Sequence, residues 1–197
     1  MSRLFNESHR TLQRQFDTER LADRLEQRLC RDHINADDKA FIERLDMFFL
    51  ATADSAGRPN CSYKGGDPGF VRVLDEHTVA FPNFDGNGMF LSAGNVSANA
   101  HVGMLFIDFL SPKRLRVNGD ARIEPASFVT PAYFEAQFVV VVTAREVFPN
   151  CPRYIHKYAL AERSKFVPHD GVETPVPAWK EMEWARDVLP SNDPSLK

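Results

Sequence analysis

Short apolar runs separated by turn-forming residues fill the middle of the chain, and this spacing constrains the fold more than any other feature. Seven runs have the length and composition of strands: residues 47–53, 60–64, 70–74, 78–81, 101–109, 115–123 and 138–148. The turns at residues 54–57 and 75–77 are too short for the crossovers that join parallel strands. The pattern therefore predicts an antiparallel barrel or sandwich rather than βαβ units.

The run 115–123 differs from the other long runs in its pattern. Its apolar residues alternate with polar ones, which indicates a strand with one face in water or at a ligand. Gly119 lies inside this run, and a glycine within a strand is typical of a bulge or a sharp bend. We therefore expect the sheet to change direction at Gly119.

The N-terminal region is predicted to be helical. Residues 8–31 contain no glycine or proline, and their apolar residues recur mostly at four-residue spacing, which predicts one amphipathic helix. Such a helix needs a partner to cover its apolar stripe, either the barrel or a second subunit. The stripe consists of Leu12, Phe16, Leu21, Leu25 and Leu29.

Further helices are predicted around the strands. One covers residues 38–45, with Asp37 as its N-terminal cap. Shorter helices are predicted over residues 89–100, 131–136, 153–163 and 178–189. The helix before residue 47 is placed to pack across an open end of the barrel.

Composition excludes several classes of function. A net charge of −3 over 197 residues provides no basic surface for nucleic acid, and no apolar run approaches the about 20 residues that cross a bilayer. The three cysteines form no CxxC pair and the six histidines form no H-E-x-x-H motif, so we expect no metal site. Charged sequence rather than an apolar leader follows Met1, so we expect a cytoplasmic location.

Two polar stretches carry the candidate chemistry. Lys64 ends a predicted strand beside two glycines, where backbone can approach a ligand closely. Residues 83–89 precede a predicted helix, and the free N–H groups at a helix start attract anions. The alternative without a ligand-binding role is a polar loop with a solvated lysine. The polar side chains of the second stretch and the segment after it include Asn83, Asp85, Asn87, Ser92 and Asn95.

The Gly-Asn-Gly sequence at residues 86–88 has the start of a dinucleotide-binding loop. The third glycine of that loop is missing, because Leu91 stands in its place, and the surrounding runs are not βαβ units. The sequence also lacks a phosphate-binding loop with a Walker lysine and a G-x-S-x-G motif. These absences exclude a Rossmann fold, nucleotide hydrolysis and α/β-hydrolase chemistry.

The order of several motifs resembles the pyridoxamine 5′-phosphate oxidase-related FMN-binding split-barrel family. Across residues 45–160 these are Arg58-Pro59, Ser62-Tyr63-Lys64-Gly65-Gly66, the segment 81–87, a helix, the segment 103–108 and the closing segment 148–157. The resemblance implies a mainly β fold with flanking helices, built on a six-stranded antiparallel split β-barrel. It also implies a homodimer that binds FMN between its subunits. The division implied is an N-terminal helical extension (1–46), an FMN-binding barrel (47–150) and a C-terminal helical and loop segment (151–197).

The resemblance also assigns roles to residues. Lys64 is expected to meet the flavin or its phosphate, and Ser62 and Tyr63 to line the ring through their backbone. Asn83, Asp85 and Asn87 are expected to hold the ribityl chain or the phosphate, while Ser92 and Asn95 add hydrogen-bonding groups. Arg153, His156 and Lys157 are candidate cationic or polar groups of the closing segment, contributed to the flavin of the same subunit or across the dimer.

One departure bears on the activity. Pyridoxamine phosphate oxidases follow a C-terminal Glu-Trp with an arginine, an aliphatic residue and a histidine that hold the substrate, whereas residues 185–190 after Glu183-Trp184 lack this continuation. We therefore expect an FMN-dependent oxidoreductase acting on another small molecule, with no catalytic side chain assigned. The alternatives are a non-catalytic flavin or haem binder, and an interaction module that docks a partner through its N-terminal helix.

Overall fold

The computed structural model describes residues 2–196, without the side chain of Pro194. The chain forms two compact units, one ending at Leu160 and the other beginning at Ala161. The helices of the first unit are α1 (Glu7–Gln15), α2 (Glu19–Leu29), α3 (Ala36–Glu43) and α4 (Leu91–Ala98). Its strands are β1 (Met47–Ala53), β2 (Pro59–Gly65), β3 (Arg72–Asp75), β4 (Thr78–Asn83), β5 (His101–Asp108), β6 (Lys113–Pro125) and β7 (Phe138–Pro149). The second unit contains a short helix, α5 (Glu183–Arg186).

All the strands of the described chain belong to one antiparallel sheet with the order β2-β1-β5-β6-β7-β4-β3. Every run that the sequence predicts as a strand forms one, so the mainly β class with flanking helices is confirmed. The sheet has seven strands, one more than the six that the family resemblance implied. The β3 strand is only four residues long and pairs with β4 alone, at the end of the sheet.

The larger of two buried hydrophobic clusters lies on one face of this sheet, and the smaller one lies on the other face of β4 and β7. Phe48 is fully buried, and its ring contacts those of Phe81 and Phe106 at centroid distances of 5.0 and 5.2 Å. Burying an aromatic side chain of this size contributes about 1.5–3 kcal/mol. Because Phe48 pairs with Lys64 across the β1–β2 hairpin, the same register turns the Lys64 side chain to the core side of the sheet.

The bulge predicted at Gly119 is confirmed. The register between β6 and β7 shifts between Asn118 and Gly119. A Cβ atom at Gly119 would lie 2.1 Å from the carbonyl oxygen of Thr143, so the backbones approach more closely than any side chain allows.

The N-terminal helix predicted over residues 8–31 is instead two helices. Asp17 has a φ of 52°, a left-handed conformation that ends α1 before α2 begins. The apolar spacing already widens at this point, since Phe16 and Leu21 are five residues apart rather than four. The next helix is capped by Asn35, whose side chain accepts a hydrogen bond from the Asp38 N–H at 2.8 Å, and not by Asp37 as predicted.

Two other predicted helices are wrong. Residues 131–136 form no helix, because Glu135 has a φ of 52° and the buried Tyr133 donates a hydrogen bond to the Ala80 carbonyl. Residues 153–163 form no helix either. Tyr154, expected on the packed side of that helix, is 84% exposed, and a short helix without tertiary packing is not stable in water.

The other helical predictions hold with altered bounds. The helix predicted over residues 89–100 is α4. The one predicted over residues 178–189 is a 3₁₀ turn, Ala178–Glu181, followed by α5. Within residues 2–196, no helix combines the length and the apolar character needed to cross a membrane.

Candidate functional site

The two polar stretches singled out in the sequence line one cleft of about 470 Å³. Its floor comes from β2, and its sides come from the loop after β4 and the first turn of α4. Seven predicted site residues line this cleft: Ser62, Tyr63, Lys64, Asn83, Asp85, Asn87 and Ser92. The strands β2 and β4 lie near opposite edges of the sheet, and they approach each other because the sheet curls, as the 5.0 Å ring contact of Phe48 on β1 with Phe81 on β4 shows. Residues about 20 positions apart in sequence therefore meet at this cleft.

Lys64 provides the positive charge of the cleft. Its side chain is half-buried and, among residues 2–196, has no hydrogen-bonded or ion-paired partner. Burial lowers the pKa of Lys64, because an ammonium group loses solvation there without gaining an anion. An anion entering the cleft would restore that lost stabilisation.

The start of α4 faces the same space. No side chain caps this helix, and its first backbone hydrogen bond runs from the Gly94 N–H to the Phe90 carbonyl at 2.7 Å. The N–H groups of residues 91–93 therefore have no acceptor within the helix, and all three residues line the cleft. The hydroxyls of Ser62 and Ser92 lie 3.0 Å apart and join the strand to the helix start.

The asparagines of the loop hold its conformation. The Asn87 side-chain oxygen accepts a hydrogen bond from the Met89 N–H at 3.1 Å. The Asn83 amide donates to the Gln137 side-chain oxygen at 2.9 Å, and the Gln137 amide donates to Asp85 at 3.4 Å. The side chains of these three residues therefore form hydrogen bonds within the chain, and they shape the cleft as well as lining it.

Sequence reasoning missed Gln137. It lies 54 residues from Asn83 in sequence, and they meet only because β4 and β7 pair with Asn83 opposite Phe138. No local signal marks Gln137. A strand-pairing prediction for β4 and β7 would have placed it beside the loop.

An apolar rim borders the cleft and was also missed. Met89, Phe90 and Leu91 all line it, with exposed fractions of 62, 50 and 52%. Phe90 has a φ of 49°, an uncommon conformation for a bulky residue. The cleft therefore combines a polar, cationic floor with an apolar edge.

Tyr63 lies between Ser62 and Lys64 on β2, but its side chain is on the opposite face, since side chains alternate along a strand. Its ring packs edge-on against Phe49 and covers Gly65, where a Cβ atom would meet the ring at 2.7 Å. Burial, with a smaller contribution from Asp46, raises the pKa of Tyr63. This orientation leaves the Tyr63 backbone as its route of contact with a ligand.

The structure does not bring the remaining four predicted residues to the cleft. The Asn95 amide instead donates to the Thr52 hydroxyl at 3.0 Å and ties α4 to β1. Arg153, His156 and Lys157 are exposed and lie in the irregular segment after β7. Among residues 2–196, no histidine lines the cleft and no group of three or more His, Cys, Asp or Glu side chains could hold a metal ion.

Comparison with known families identifies this fold. The family model described as pyridoxamine 5′-phosphate oxidase matches residues 34–151, more than half of the chain. The chain belongs to the pyridoxamine 5′-phosphate oxidase family. The matched span contains the whole sheet and the cleft, whereas α1 and α2 lie outside it. Comparison with curated proteins found no significant match.

Solved structures with partial similarity include HupZ of Group A Streptococcus, a pyridoxamine 5′-phosphate oxidase-like protein of Lactobacillus delbrueckii and an FMN-binding protein of Syntrophomonas wolfei. Their sequence identities are 18, 21 and 12%, and their TM-scores are 0.48, 0.47 and 0.43. The alignments cover 59, 60 and 70% of this chain and 93, 95 and 96% of theirs. Similarity at this level specifies neither a ligand nor an activity.

Proposed function

We propose that this member of the pyridoxamine 5′-phosphate oxidase family binds FMN in the cleft and acts as a flavin-dependent oxidoreductase on a small molecule. The observation that carries the proposal is the cleft's anion site, in which Lys64, without a partner among residues 2–196, and the uncapped start of α4 face the same space. In this proposal the sheet is the split barrel of the family, and the active protein is a cytoplasmic homodimer.

The residues present fit the phosphate of FMN. A phosphate needs positive charge and several hydrogen-bond donors, and a helix N-terminus supplies both through its N–H groups. Lys64, the free N–H groups of residues 91–93 and the hydroxyls of Ser62 and Ser92 provide them here. The cleft volume of about 470 Å³ lies within the range of about 300–1,000 Å³ usual for small-molecule sites.

The rest of the cleft fits the neutral parts of the cofactor. Asp85 is a carboxylate and disfavours a phosphate beside it, but it can accept hydrogen bonds from ribityl hydroxyls. Asn83, Asn87 and Gln137 add amide groups to the same side. The apolar rim of residues 89–91 then suits the edge of a flat ring system.

When bound, the flavin supplies hydride and electron transfer. The chain's own groups bind and orient it: Lys64 balances the charge of the phosphate, and the Ser62–Ser92 pair fixes the strand against the helix start. Backbone groups of Tyr63 line the ring. We assign no general acid or base, since hydride transfer to a flavin does not require one.

The four residues outside the cleft have other proposed roles. Arg153, His156 and Lys157 would meet the flavin of a second subunit, because their segment is exposed and irregular and does not reach its own cleft. Asn95 would position α4 through its hydrogen bond to Thr52. The three-part division at residues 46 and 150 remains a prediction.

The test is a titration of the purified chain with FMN, followed by visible absorption. We expect the flavin bands to shift on binding, with one FMN per chain, and the bound flavin to be reduced by NADH or NADPH and reoxidised by an acceptor. Bound flavin that stays oxidised would favour a non-catalytic binder. A Soret band after addition of haemin, with no flavin binding, would overturn the proposal in favour of haem.

The proposed substrate also needs a direct assay. The departure after Glu183-Trp184 predicts no turnover of pyridoxamine phosphate by the FMN-loaded chain. Hydrogen peroxide production with pyridoxamine phosphate, measured against a chain without FMN, would contradict this part of the proposal.

A further inference from the structure

The first unit contains a second cavity, of about 760 Å³. It is lined mainly by α2, the segment before α1, the first half of β6 and the end of β7. It shares no lining residue with the 470 Å³ cleft. We call it the N-terminal trough; its apolar wall consists of Leu4, Phe5, Leu25, Leu29, Phe148 and Pro149.

The wall before α1 is held in place by Glu26. The Glu26 carboxylate accepts hydrogen bonds from the Ser2 hydroxyl at 3.0 Å, the Arg3 N–H at 2.6 Å and the Leu4 N–H at 3.1 Å. Burial alone would raise the pKa of Glu26, but these hydrogen bonds outweigh it and hold the pKa below its usual range. The trough is therefore preformed, and its one carboxylate is already engaged.

Arg116 is the cationic group of the trough that lacks a counterion. Neighbouring arginines form close ion pairs, such as Arg31 with Asp38 and Arg10 with Asp23 at 2.6 and 2.7 Å. Arg116 is half-buried and has no ion pair or hydrogen bond from its side chain within residues 2–196. A guanidinium keeps its charge in such surroundings, so an unpaired one favours an incoming anion.

The position of Arg116 indicates the shape of that anion. It lies where the trough meets a smaller, mostly apolar cavity of about 330 Å³, and together with Asn118 and Phe148 it lines both. One cation with apolar surface on either side complements a molecule with a single carboxylate on an apolar chain. A polyanion such as a nucleotide would leave most of its charge unpaired there.

We propose that the N-terminal trough binds an amphipathic carboxylate of the fatty-acid class. Its carboxylate pairs with Arg116 and its chain lies along Leu25, Leu29 and the other apolar wall residues. The trough itself is separate from the flavin cleft, and only the smaller cavity borders that cleft, at Cys61.

Calorimetric titration of the full chain with decanoate, decanol and decyltrimethylammonium tests the proposal. We expect one decanoate per chain, bound at least tenfold more tightly than decanol, and no binding of decyltrimethylammonium. Octanoate should bind more weakly than decanoate by about fourfold for each missing methylene. Prior loading with FMN should leave these affinities unchanged, and competition between FMN and decanoate would overturn the proposal.

Two variants test the role of Arg116. Arg116→Met keeps most of the side-chain volume, and we expect it to lose at least tenfold in decanoate affinity while binding decanol as before. The matched control is Arg122→Met on the same strand, because Arg122 pairs with Glu124 and does not line the trough. Equal decanoate affinity in both variants would overturn the proposal.

The main competing occupant of this surface is a second copy of the chain. Sedimentation of the wild type and of Arg116→Met, with and without decanoate, distinguishes the two. The proposal predicts the same mass in all four samples. If decanoate does not bind and Arg116→Met weakens self-association, the trough is an interface between copies and the proposal is wrong.

Discussion

Replacing Lys64 with methionine tests the anion site most sharply. The substitution keeps an unbranched apolar stem and removes the positive charge that has no partner among residues 2–196. A hydrogen bond to a charged group contributes about 1.5–3 kcal/mol, which corresponds to a loss of about tenfold to 150-fold in FMN affinity. The fold should be unaffected, because the variant also removes the cost of burying an unpaired ammonium group.

Riboflavin separates the phosphate from the ring in this experiment. It lacks the phosphate, so Lys64→Met should change its affinity by less than about threefold. Quenching of flavin fluorescence measures both affinities under the same conditions. Arg58→Met is the matched control, because Arg58 precedes β2, carries one positive charge and is 82% exposed in its side chain.

Equal losses for FMN and riboflavin would mean that Lys64 contacts the ring or shapes the cleft. Unchanged FMN affinity would mean that the phosphate lies elsewhere. Either result would refute the assignment of Lys64 to the phosphate.

Three further predictions concern stability and assembly. Gly119→Ala should lower the free energy of unfolding, measured in urea, by at least about 2 kcal/mol, because its Cβ would lie 2.1 Å from a carbonyl oxygen. The control is Gly103→Ala, whose Cβ would lie 3.5 Å from the nearest atom and which should lower the free energy of unfolding by less. Lys180→Met should destabilise the second unit by about 3 kcal/mol, read by near-ultraviolet circular dichroism, since it leaves the buried Asp193 carboxylate unpaired. Although burial opposes it, hydrogen bonding to Lys180 lowers the pKa of Asp193 from 3.8 to about 2, so this stabilisation is complete above pH 4 and is lost as the pH falls towards 2. Phe16→Glu should abolish dimerisation in sedimentation experiments without unfolding the chain, because Phe16 is 69% exposed within one protomer. An unchanged mass would exclude the stripe as the interface.

The strands were predictable because their signal is local. Alternating or continuous apolar runs such as residues 115–123 and 138–148 carry the period of a strand in the sequence itself. The bulge at Gly119 was predictable for the same reason. The cleft followed from two local features, a lysine beside glycines and a polar loop before a helix, which the sheet brings together.

The errors have physical causes that a local pattern does not contain. The break at Asp17 depends on one residue adopting a left-handed conformation within an otherwise helical composition. Residues 153–163 have helical spacing, but their apolar side is largely exposed: Tyr154 is 84% exposed, and Tyr158 is also exposed, although its ring contacts that of Phe109 at a centroid distance of 5.5 Å. Gln137 entered the site through the pairing of β4 with β7, a contact between distant parts of the sequence.

The sequence predicts that the apolar stripe on α1 and α2 requires a covering partner, and in the structure much of this stripe is exposed. Leu12, Phe16 and Leu21 are 56, 69 and 58% exposed, so the protomer does not cover them. Helices of nine and eleven residues gain most of their stability from packing. A second subunit is therefore the cover we propose for Leu12, Phe16 and Leu21, in line with the homodimer implied by the family resemblance, whereas Leu25 and Leu29 line the N-terminal trough.

A crystal structure of the chain with FMN tests the central claim most directly. The account predicts the phosphate within about 3.2 Å of the Lys64 Nζ and of N–H groups at the start of α4, with the ring at the apolar rim of residues 89–91. FMN bound away from this cleft, or bound in it with its phosphate out of reach of both Lys64 and α4, would contradict the account.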